Sequence, residues 1–179
     1  CLSMRPRAVL ECDPTGDHFL WFNWHFSGYD RKKHDAGRCN YIPMNFGEVP
    51  DWYRRFIDPV DIAVFKTSPI DENGCFSFGA SSTYTQAIIE RARCVIVEVC
   101  PHMPQVFGEQ SSVHISDVDY IIAEGGDPLP EIKNPPVSEI DRKIASLIAA
   151  EVEDGACLQI GIGGMPNAVC SMLREAGVK

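Results

Sequence analysis

The chain has 179 residues, 45% of them hydrophobic and 23% charged, a balance typical of one globular domain or of one domain and part of a second. Its formal net charge is −9 and its basic clusters are short, so we expect no nucleic-acid partner. The sequence shows neither a membrane-spanning stretch nor a signal peptide, which favours a cytoplasmic protein without a membrane partner. The eight cysteines show no metal-ligand spacing with the histidines, so we expect reduced, mostly buried thiols and no metal site.

The first third of the chain contains two extended segments, a helical segment and a strand. Residues 19–27 are dense in aromatic side chains and predict a strand that enters a core, and residues 41–43 form a short extended piece. Residues 48–57 predict a helix, in which Pro50 falls in the first turn, where proline is tolerated. Residues 60–65 are short and mostly apolar, which predicts a buried parallel strand.

A hairpin and two further strands follow. Asn73-Gly74 is a strong hairpin signal, because both central residues of a type I′ turn take positive φ, and residues 75–79 are the predicted return strand. Residues 83–93 fit a helix. Residues 94–100 are the clearest strand because they are rich in β-branched residues, and residues 118–123 are another candidate.

Prolines separate a second unit from the first. Residues 125–137 disfavour both helix and sheet interior, so we place a boundary there and divide the chain into residues 1–130 and 131–179. Ser138 and Asp141 predict a capping box at the start of a helix. The apolar stripe of that helix comprises Ile140, Ile144, Leu147 and Ile148. The order of elements predicts an α/β protein with an open, mostly parallel sheet and a second α/β unit near the end.

A glycine loop near the end of the chain offers the most chemistry. Gly161, Gly163 and Gly164 lie between a predicted strand, residues 158–162, and a predicted helix, residues 167–176. Glycines let backbone amides approach a ligand, and amides at a helix start point at a phosphate or a developing oxyanion. The sixth residue of the loop is a proline, where the dinucleotide-binding fingerprint has a glycine. We expect this loop to bind a ligand, with a purely structural strand-to-helix turn as the alternative.

Other polar residues have simpler structural interpretations. Residues 68–74 follow a predicted sheet strand, at the end where open α/β sheets bind ligands. By themselves, however, these residues predict a turn. Residues 81–83 could donate to a ligand, and capping of the following helix is the preferred interpretation. His102 and His114 are tied to no nucleophile by a known motif, so we interpret both as structural or surface residues. Glu98, within an apolar strand, is either a buried site carboxylate or half of a structural salt bridge.

Six segments, taken in order along the chain, carry a family resemblance. They are residues 68–74 (SPIDENG), 79–82 (GASS), 106–108 (VFG), 113–116 (VHIS), 127–130 (DPLP) and 158–166 (LQIGIGGMP). Together they resemble the acetyl-CoA hydrolase/transferase family, and most closely its 4-hydroxybutyrate and butyrate:acetate CoA-transferase branch. The resemblance runs from about residue 23 to residue 179, so it is more specific than any one motif.

The resemblance implies two similar open α/β domains of the CoA-transferase-like (NagB/RpiA-type) fold, with the active site between them. The chain would hold most of the first domain, without its first βα unit, and the first helix–strand–helix of the second. The resemblance places CoA against Gly161, Ile162, Gly163, Gly164 and Met165. Coenzyme A is then a substrate, and neither a metal nor another cofactor is implied.

The resemblance also implies covalent catalysis by a glutamate, which attacks an acyl-CoA thioester and becomes a glutamyl-CoA thioester. That glutamate follows the helix after the glycine loop and is expected just beyond Lys179, since neither Glu151 nor Glu175 matches its position. We therefore expect an internal fragment that has no catalytic residue and is inactive alone. The whole enzyme would act on acyl-CoA and short-chain carboxylates such as acetate, butyrate or 4-hydroxybutyrate, and is expected to be a homo-oligomer.

Three alternatives stay open at this point. A hydrolase of the same family would pass the acyl group or CoA to water, and no residue of the chain reports on water access at the glutamate. A non-catalytic CoA- or nucleotide-binding module would use the glycine loop to hold a phosphate. A structural or interaction domain would not bind CoA at all.

Overall fold

The computed structural model describes residues 6–123, 128–131 and 136–178 of the chain. The chain divides into two compact units, Cys1–Pro130 and Glu131–Lys179. This division falls inside the proline-rich segment where the sequence places a boundary, although residues 125–127 and 132–135 of that segment lie outside the described part. The assignment of the two units to CoA-transferase domains stays a prediction.

The first unit alternates short helices and short strands. In chain order they are α1 (Ala8–Cys12), β1 (Phe22–Asn23), α2 (Gly28–Asp35), β2 (Asn40–Tyr41), α3 (Val49–Arg55), β3 (Ala63–Thr67), β4 (Cys75–Ser77), α4 (Thr85–Ile89), β5 (Val95–Val99), β6 (Ser112–His114) and β7 (Tyr120–Ile122). Short 3₁₀ helices cover Phe46–Glu48, Gly79–Ser81 and Ile115–Asp117.

A three-stranded parallel sheet forms the centre of the first unit. β5 lies between β3 and β7, so that Val97 is opposite Phe65 on one side and Ile121 on the other. β4 and β6 form a separate antiparallel pair. The buried core of the unit comprises Phe76, Phe78, Val97 and Val113. The predicted mixed α/β class with a mostly parallel sheet is confirmed.

Five predicted elements of the first unit are present, two of them with clearly changed bounds. The strands predicted over residues 94–100 and 118–123 are confirmed as β5 and β7, and the helix predicted over residues 48–57 is confirmed as α3. The strand predicted over residues 60–65 is displaced to β3, because Val60 makes only an isolated bridge to Ala92. The helix predicted over residues 83–93 is shortened to α4.

The aromatic segment at residues 19–27 is not the core strand that its composition predicts. Its one paired part is β1, which makes a two-residue parallel pair with β2. Leu20 is 75% exposed, whereas the polar Asn23 is buried and donates through Nδ2 to Asp30. The buried carboxylate of Asp13 accepts the backbone N–H groups of Gly16, Asp17, His18 and Phe19. Those bonds fix a loop where the sequence predicts a strand.

The chain reverses at Asn73-Gly74, but not through the predicted type I′ turn. Gly74 has a φ of 77°, whereas Asn73 is not among the described residues with positive φ. The Asp71 carboxylate fixes the turn instead, since it accepts the N–H groups of Asn73 and Cys75 at 2.9 and 2.8 Å. A strand is present at the predicted position as β4, but it pairs with β6 and makes an isolated bridge, Phe76 to Ile70, back across the turn.

Gly79 allows two segments of the first unit to approach closely. Its φ is 54°, and a Cβ at this position would lie 2.7 Å from the carbonyl oxygen of Pro104 and would also overlap Met103. The 3₁₀ helix Gly79–Ser81 therefore packs directly on the loop that follows β5.

The second unit consists of α5 (Glu139–Ala149) and α6 (Gly164–Ala176). The predicted capping box at the start of α5 is confirmed. Ser138 Oγ accepts the N–H of Asp141 at 3.1 Å, and Asp141 Oδ2 accepts the N–H of Ser138 at 2.9 Å.

α5 packs on α6 through the face that carries Ala145 rather than through its predicted apolar stripe. Ala145 is fully buried, in a cluster with Ala168, Val169 and Leu173 of α6. The predicted stripe is exposed, with Ile140 at 72%. Periodicity identified an apolar face, but it could not identify the face that α6 covers.

The strand predicted over residues 158–162 does not form. Among the described residues of the second unit no segment offers a ladder partner, and the backbone there has no regular structure. The alternate side chains of Leu158, Ile160 and Ile162 are all exposed. A strand exists only when a neighbour accepts its backbone hydrogen bonds, so this part of the predicted helix–strand–helix is wrong for the chain as described.

Candidate functional site

The glycine loop lies at the N-terminus of α6. Gly163 is the N-cap residue with φ 143°, a value that side-chain-bearing residues rarely adopt, and Gly164 is the first helical residue. An added Cβ at Gly163 would lie 3.6 Å from Pro166 Cδ, an ordinary contact, so backbone conformation rather than crowding demands glycine there. Neither backbone conformation nor crowding demands glycine at position 161, since φ there is not positive and an added Cβ would make only an ordinary contact.

The first turn of α6 leaves backbone amides available to a ligand. Within the described residues the N–H groups of Gly164 and Met165 have no protein acceptor, and Pro166 carries no N–H. The first backbone bond of the helix runs from Asn167 N–H to Gly163 O at 3.2 Å. The first turn, which is fully described, also lacks an acidic side chain. The positive end of the helix dipole is therefore not neutralised locally and favours an anion.

An apolar cavity of about 190 Å³ adjoins the loop. It is lined by Ile148, Gln159, Ile160, Gly161, Met165, Pro166 and Val169. Of the five residues predicted to bind CoA, Gly161 and Met165 line this cavity, Gly163 and Gly164 form the helix start, and the Ile162 side chain is 83% exposed outside it. At the predicted loop, the N–H groups of Gly164 and Met165, which have no acceptor among the described residues, therefore lie next to an apolar cavity.

Glu98 is not the buried carboxylate that its apolar surroundings suggest. It lies on β5, and Oε1 is 3.1 Å from Lys66 Nζ on the neighbouring strand, with both side chains partly exposed. The structural salt bridge, one of its two predicted interpretations, is the one that the geometry supports.

The remaining polar candidates serve local structure. Ser68 is buried, donates through Oγ to the carbonyl of Pro69 and accepts the N–H of Ser77. The residues at 81–83 do not cap the following helix, so that prediction is wrong, because the N-cap of α4 is Tyr84 and has no side-chain capping bond. His114 Nδ1 contacts Ser116 Oγ at 2.8 Å and accepts its N–H, which fixes a turn.

The cysteines are free thiols in the part of the chain that is described, but they are not mostly buried as predicted. Cys39 and Cys100 are buried, whereas Cys12, Cys157 and Cys170 are exposed. Burial, with a smaller effect from Asp30, raises the pKa of Cys39 to about 11. The described residues contain no group of three potential metal ligands and no helix able to cross a membrane.

A second concave site, which was not predicted from the sequence, lies in the first unit. A cavity of about 470 Å³ lies beside β3 and has predominantly aromatic walls. The ring centroid of Trp24 is 5.3 Å from that of Tyr84 and 6.3 Å from that of Tyr53, in edge-to-face geometry. Burial raises the pKa of both tyrosines. The aromatic density of residues 19–27 was a signal, but its partners lie 29 and 60 residues further on, beyond any local pattern.

Comparison with known proteins finds a matching family and several relatives of the chain. Residues 7–132 match the family described as the acetyl-CoA hydrolase/transferase N-terminal domain. A butyryl-CoA:acetate CoA-transferase from Anaerostipes caccae is 43% identical over 179 residues, covering 98% of this chain and 40% of the relative. A 4-hydroxybutyrate coenzyme A transferase from Clostridium kluyveri is 39% identical over 158 residues, covering 88% of the chain and 36% of the relative.

A solved structure supports the same relationship. The crystal structure of a 4-hydroxybutyrate CoA-transferase from Porphyromonas gingivalis superposes with a TM-score of 0.67 at 32% identity, covering 92% of this chain and 43% of that one. The chain spans less than half the length of these relatives. With the family match extending over residues 7–132, the chain belongs to the acetyl-CoA hydrolase/transferase family.

Proposed function

We propose that the chain is part of an acyl-CoA:carboxylate CoA-transferase that moves CoA between short-chain acids such as acetate, butyrate and 4-hydroxybutyrate. The observation that supports this most directly is the start of α6, where the N–H groups of Gly164 and Met165, which have no acceptor among the described residues, lie beside an apolar cavity. Acyl-CoA offers both an anion or developing oxyanion for the amides and an apolar arm for the cavity. The names of the relatives point to the same substrate class.

The proposed reaction proceeds in balanced steps through a glutamate expected beyond Lys179. Its carboxylate attacks the thioester carbonyl, the CoA thiolate leaves, and a mixed anhydride forms. The thiolate then attacks the glutamyl carbonyl of the anhydride, and the first acid leaves as its carboxylate. The second acid reverses both steps and collects CoA. Each tetrahedral intermediate carries an oxyanion, which backbone N–H groups such as those of Gly164 and Met165 are suited to stabilise.

Within this proposal the active enzyme is longer than the 179-residue chain. Its two domains would share the CoA-transferase-like fold, the second starting near Ser138, and it would be a cytoplasmic homo-oligomer. CoA serves as a substrate, and no metal or other cofactor takes part. The 179-residue chain lacks the nucleophile and would not exchange thioesters.

A chain extended to the length of the relatives tests this function. We expect it to transfer CoA from butyryl-CoA to labelled acetate, and the glutamate to carry CoA in the mass spectrum after incubation with butyryl-CoA. Gly163→Val should lower the transfer rate by at least about tenfold, since valine disfavours the observed φ. Gly155→Val is the matched control, because Gly155 also has positive φ, in open space away from the loop.

The outcomes separate the alternatives. Acyl-CoA consumption without labelled acetyl-CoA would establish the hydrolase, and retention of CoA without turnover, in preference to ADP and NAD, would leave a CoA-binding module. Equal binding of ADP or NAD would favour a general nucleotide-binding module. Absence of any CoA binding by the extended chain would leave a structural domain and overturn the proposal.

A further inference from the structure

The aromatic cavity beside β3 has the size and walls of a small-molecule site. Its volume of about 470 Å³ falls within the range of roughly 300–1,000 Å³ typical of ligand pockets. Trp21, Trp24, Tyr53 and Tyr84 contribute to its walls, and Val64 of β3 lines it from the sheet. Aromatic rings bury large apolar surfaces and prefer edge-to-face or offset contacts with other rings. A ring-containing ligand uses such walls better than a short unbranched acyl chain.

The charges at this cavity select the sign of the ligand. The charged side chains that line it in the described part of the chain are Arg7 and Lys66, both cationic. Arg7 also lies 5.3 Å above the Trp21 ring, so its guanidinium is held near the wall. Glu98, the partner of Lys66, is not among the lining residues. The lining side chains therefore favour an anion over a cation, although Glu98 offsets part of the charge of Lys66.

Hydrogen-bond donors at the cavity are not all satisfied by protein. Within the described residues the indole N–H groups of Trp21 and Trp24 are buried without an acceptor. The Lys66 ammonium has three protons and one recorded carboxylate contact. An acceptor-only anion can accept the protons of Lys66 that Glu98 leaves free.

We propose that this cavity binds a carboxylate that carries an aromatic or alicyclic ring, with the ring among Trp24, Tyr53 and Tyr84 and the carboxylate toward Lys66. The role of that acid as a CoA donor or acceptor rests on the proposed function. Binding itself does not, because it is measured on the 179-residue chain without CoA.

Benzoate, titrated calorimetrically into the 179-residue chain, is the first probe. We expect saturable binding of benzoate, at least about tenfold tighter than that of butyrate, which lacks the ring, and of benzamide, which lacks the charge. Tryptophan fluorescence gives a second readout, since two of the three tryptophans line the cavity. Benzylammonium should not bind.

Two pairs of variants locate the site. Val64→Phe fills the cavity from a half-exposed strand position and should abolish benzoate binding, whereas Ile62→Phe changes a similarly exposed residue outside the cavity and should not. Lys66→Gln should weaken benzoate binding about tenfold and leave benzamide unaffected. Arg93→Gln, which removes an exposed ion pair with Asp61, is its control. Thermal unfolding checks that each variant is folded.

Three results would overturn the proposal. They are no saturable benzoate binding by the folded wild-type chain, equal binding of benzamide, or equal loss of binding in Val64→Phe and Ile62→Phe. Equal affinity for butyrate would also refute the preference for a ring. None of these depends on CoA, so failure here and failure of the transferase proposal are distinguishable.

Discussion

Lys66 and Glu98 lie opposite each other on the neighbouring parallel strands β3 and β5, with Nζ 3.1 Å from Oε1. Both side chains are about one-third exposed, so water screens the pair. We expect Glu98→Gln to lower the free energy of unfolding by at most about 1 kcal/mol in urea denaturation. The double variant with Lys66→Met should show a coupling energy of the same small size, and a loss of several kcal/mol would contradict the screened geometry.

The Asp13 carboxylate makes stability dependent on acidity. Burial opposes its ionisation, but bonds from four backbone N–H groups outweigh that effect and hold the pKa of Asp13 below its ordinary value. A depressed folded-state pKa adds stability above the unfolded-state pKa, and this is lost as pH falls through the folded-state value. Asp13→Asn should therefore lower the urea midpoint at pH 7, and the difference from wild type should shrink below pH ~4. Glu109→Gln, at an exposed position, is the control. An unchanged difference at low pH would argue against this role for Asp13.

The buried face of α5 is the one that carries Ala145. Ala145→Leu should destabilise the second unit by about 1–3 kcal/mol, because the side chain has no space against α6. Ile140→Ala, on the exposed stripe, should change stability by less than about 0.5 kcal/mol. Hydrogen exchange of the α5 amides measures both changes on the same helix. The reverse order of effects would mean that the stripe, not Ala145, packs on α6.

Thiol reactivity should follow burial. With the pKa of Cys39 raised to about 11, only about 0.1% of this thiol is ionised at pH 8. Iodoacetamide at that pH should label the exposed Cys12, Cys157 and Cys170 well before Cys39 in the native chain. Peptide mass spectrometry follows each site, and all should react at similar rates in urea. Early labelling of Cys39 in the native chain would show that its loop opens readily.

Local signals in the sequence predicted local structure well. The capping box of Ser138 and Asp141 depends on residues three apart, and β5 on a short run rich in β-branched residues, so both were predicted. The position of the turn at Asn73-Gly74 was predicted correctly, but its type was not. The Asp71 carboxylate accepts the N–H groups of Asn73 and Cys75 and so fixes a different turn. The glycine loop was placed at a helix start, and φ shows that Gly163 is the position that needs glycine.

Features that depend on distant neighbours could not be predicted. Residues 158–162 have the composition of a strand, but pairing is decided by a partner elsewhere. The stripe of α5 was identified correctly as apolar, but it is exposed, because α6 packs on the face that carries Ala145. The aromatic cavity brings Trp24 together with Tyr53 and Tyr84 from three separate segments, a contact that no periodicity encodes.

The close approach at Gly79 has a genetic consequence. A side chain there would overlap the side chain of Met103 and the backbone carbonyl of Pro104, and no change of rotamer can move the carbonyl. In a library randomised at codon 79 and selected for soluble, folded chains, we expect almost only glycine to survive. Codon 37 is the control, because its glycine also has positive φ but faces open space. That position should additionally tolerate asparagine and aspartate. Position 79 is thus a point at which the sequence cannot drift without rebuilding the loop after β5.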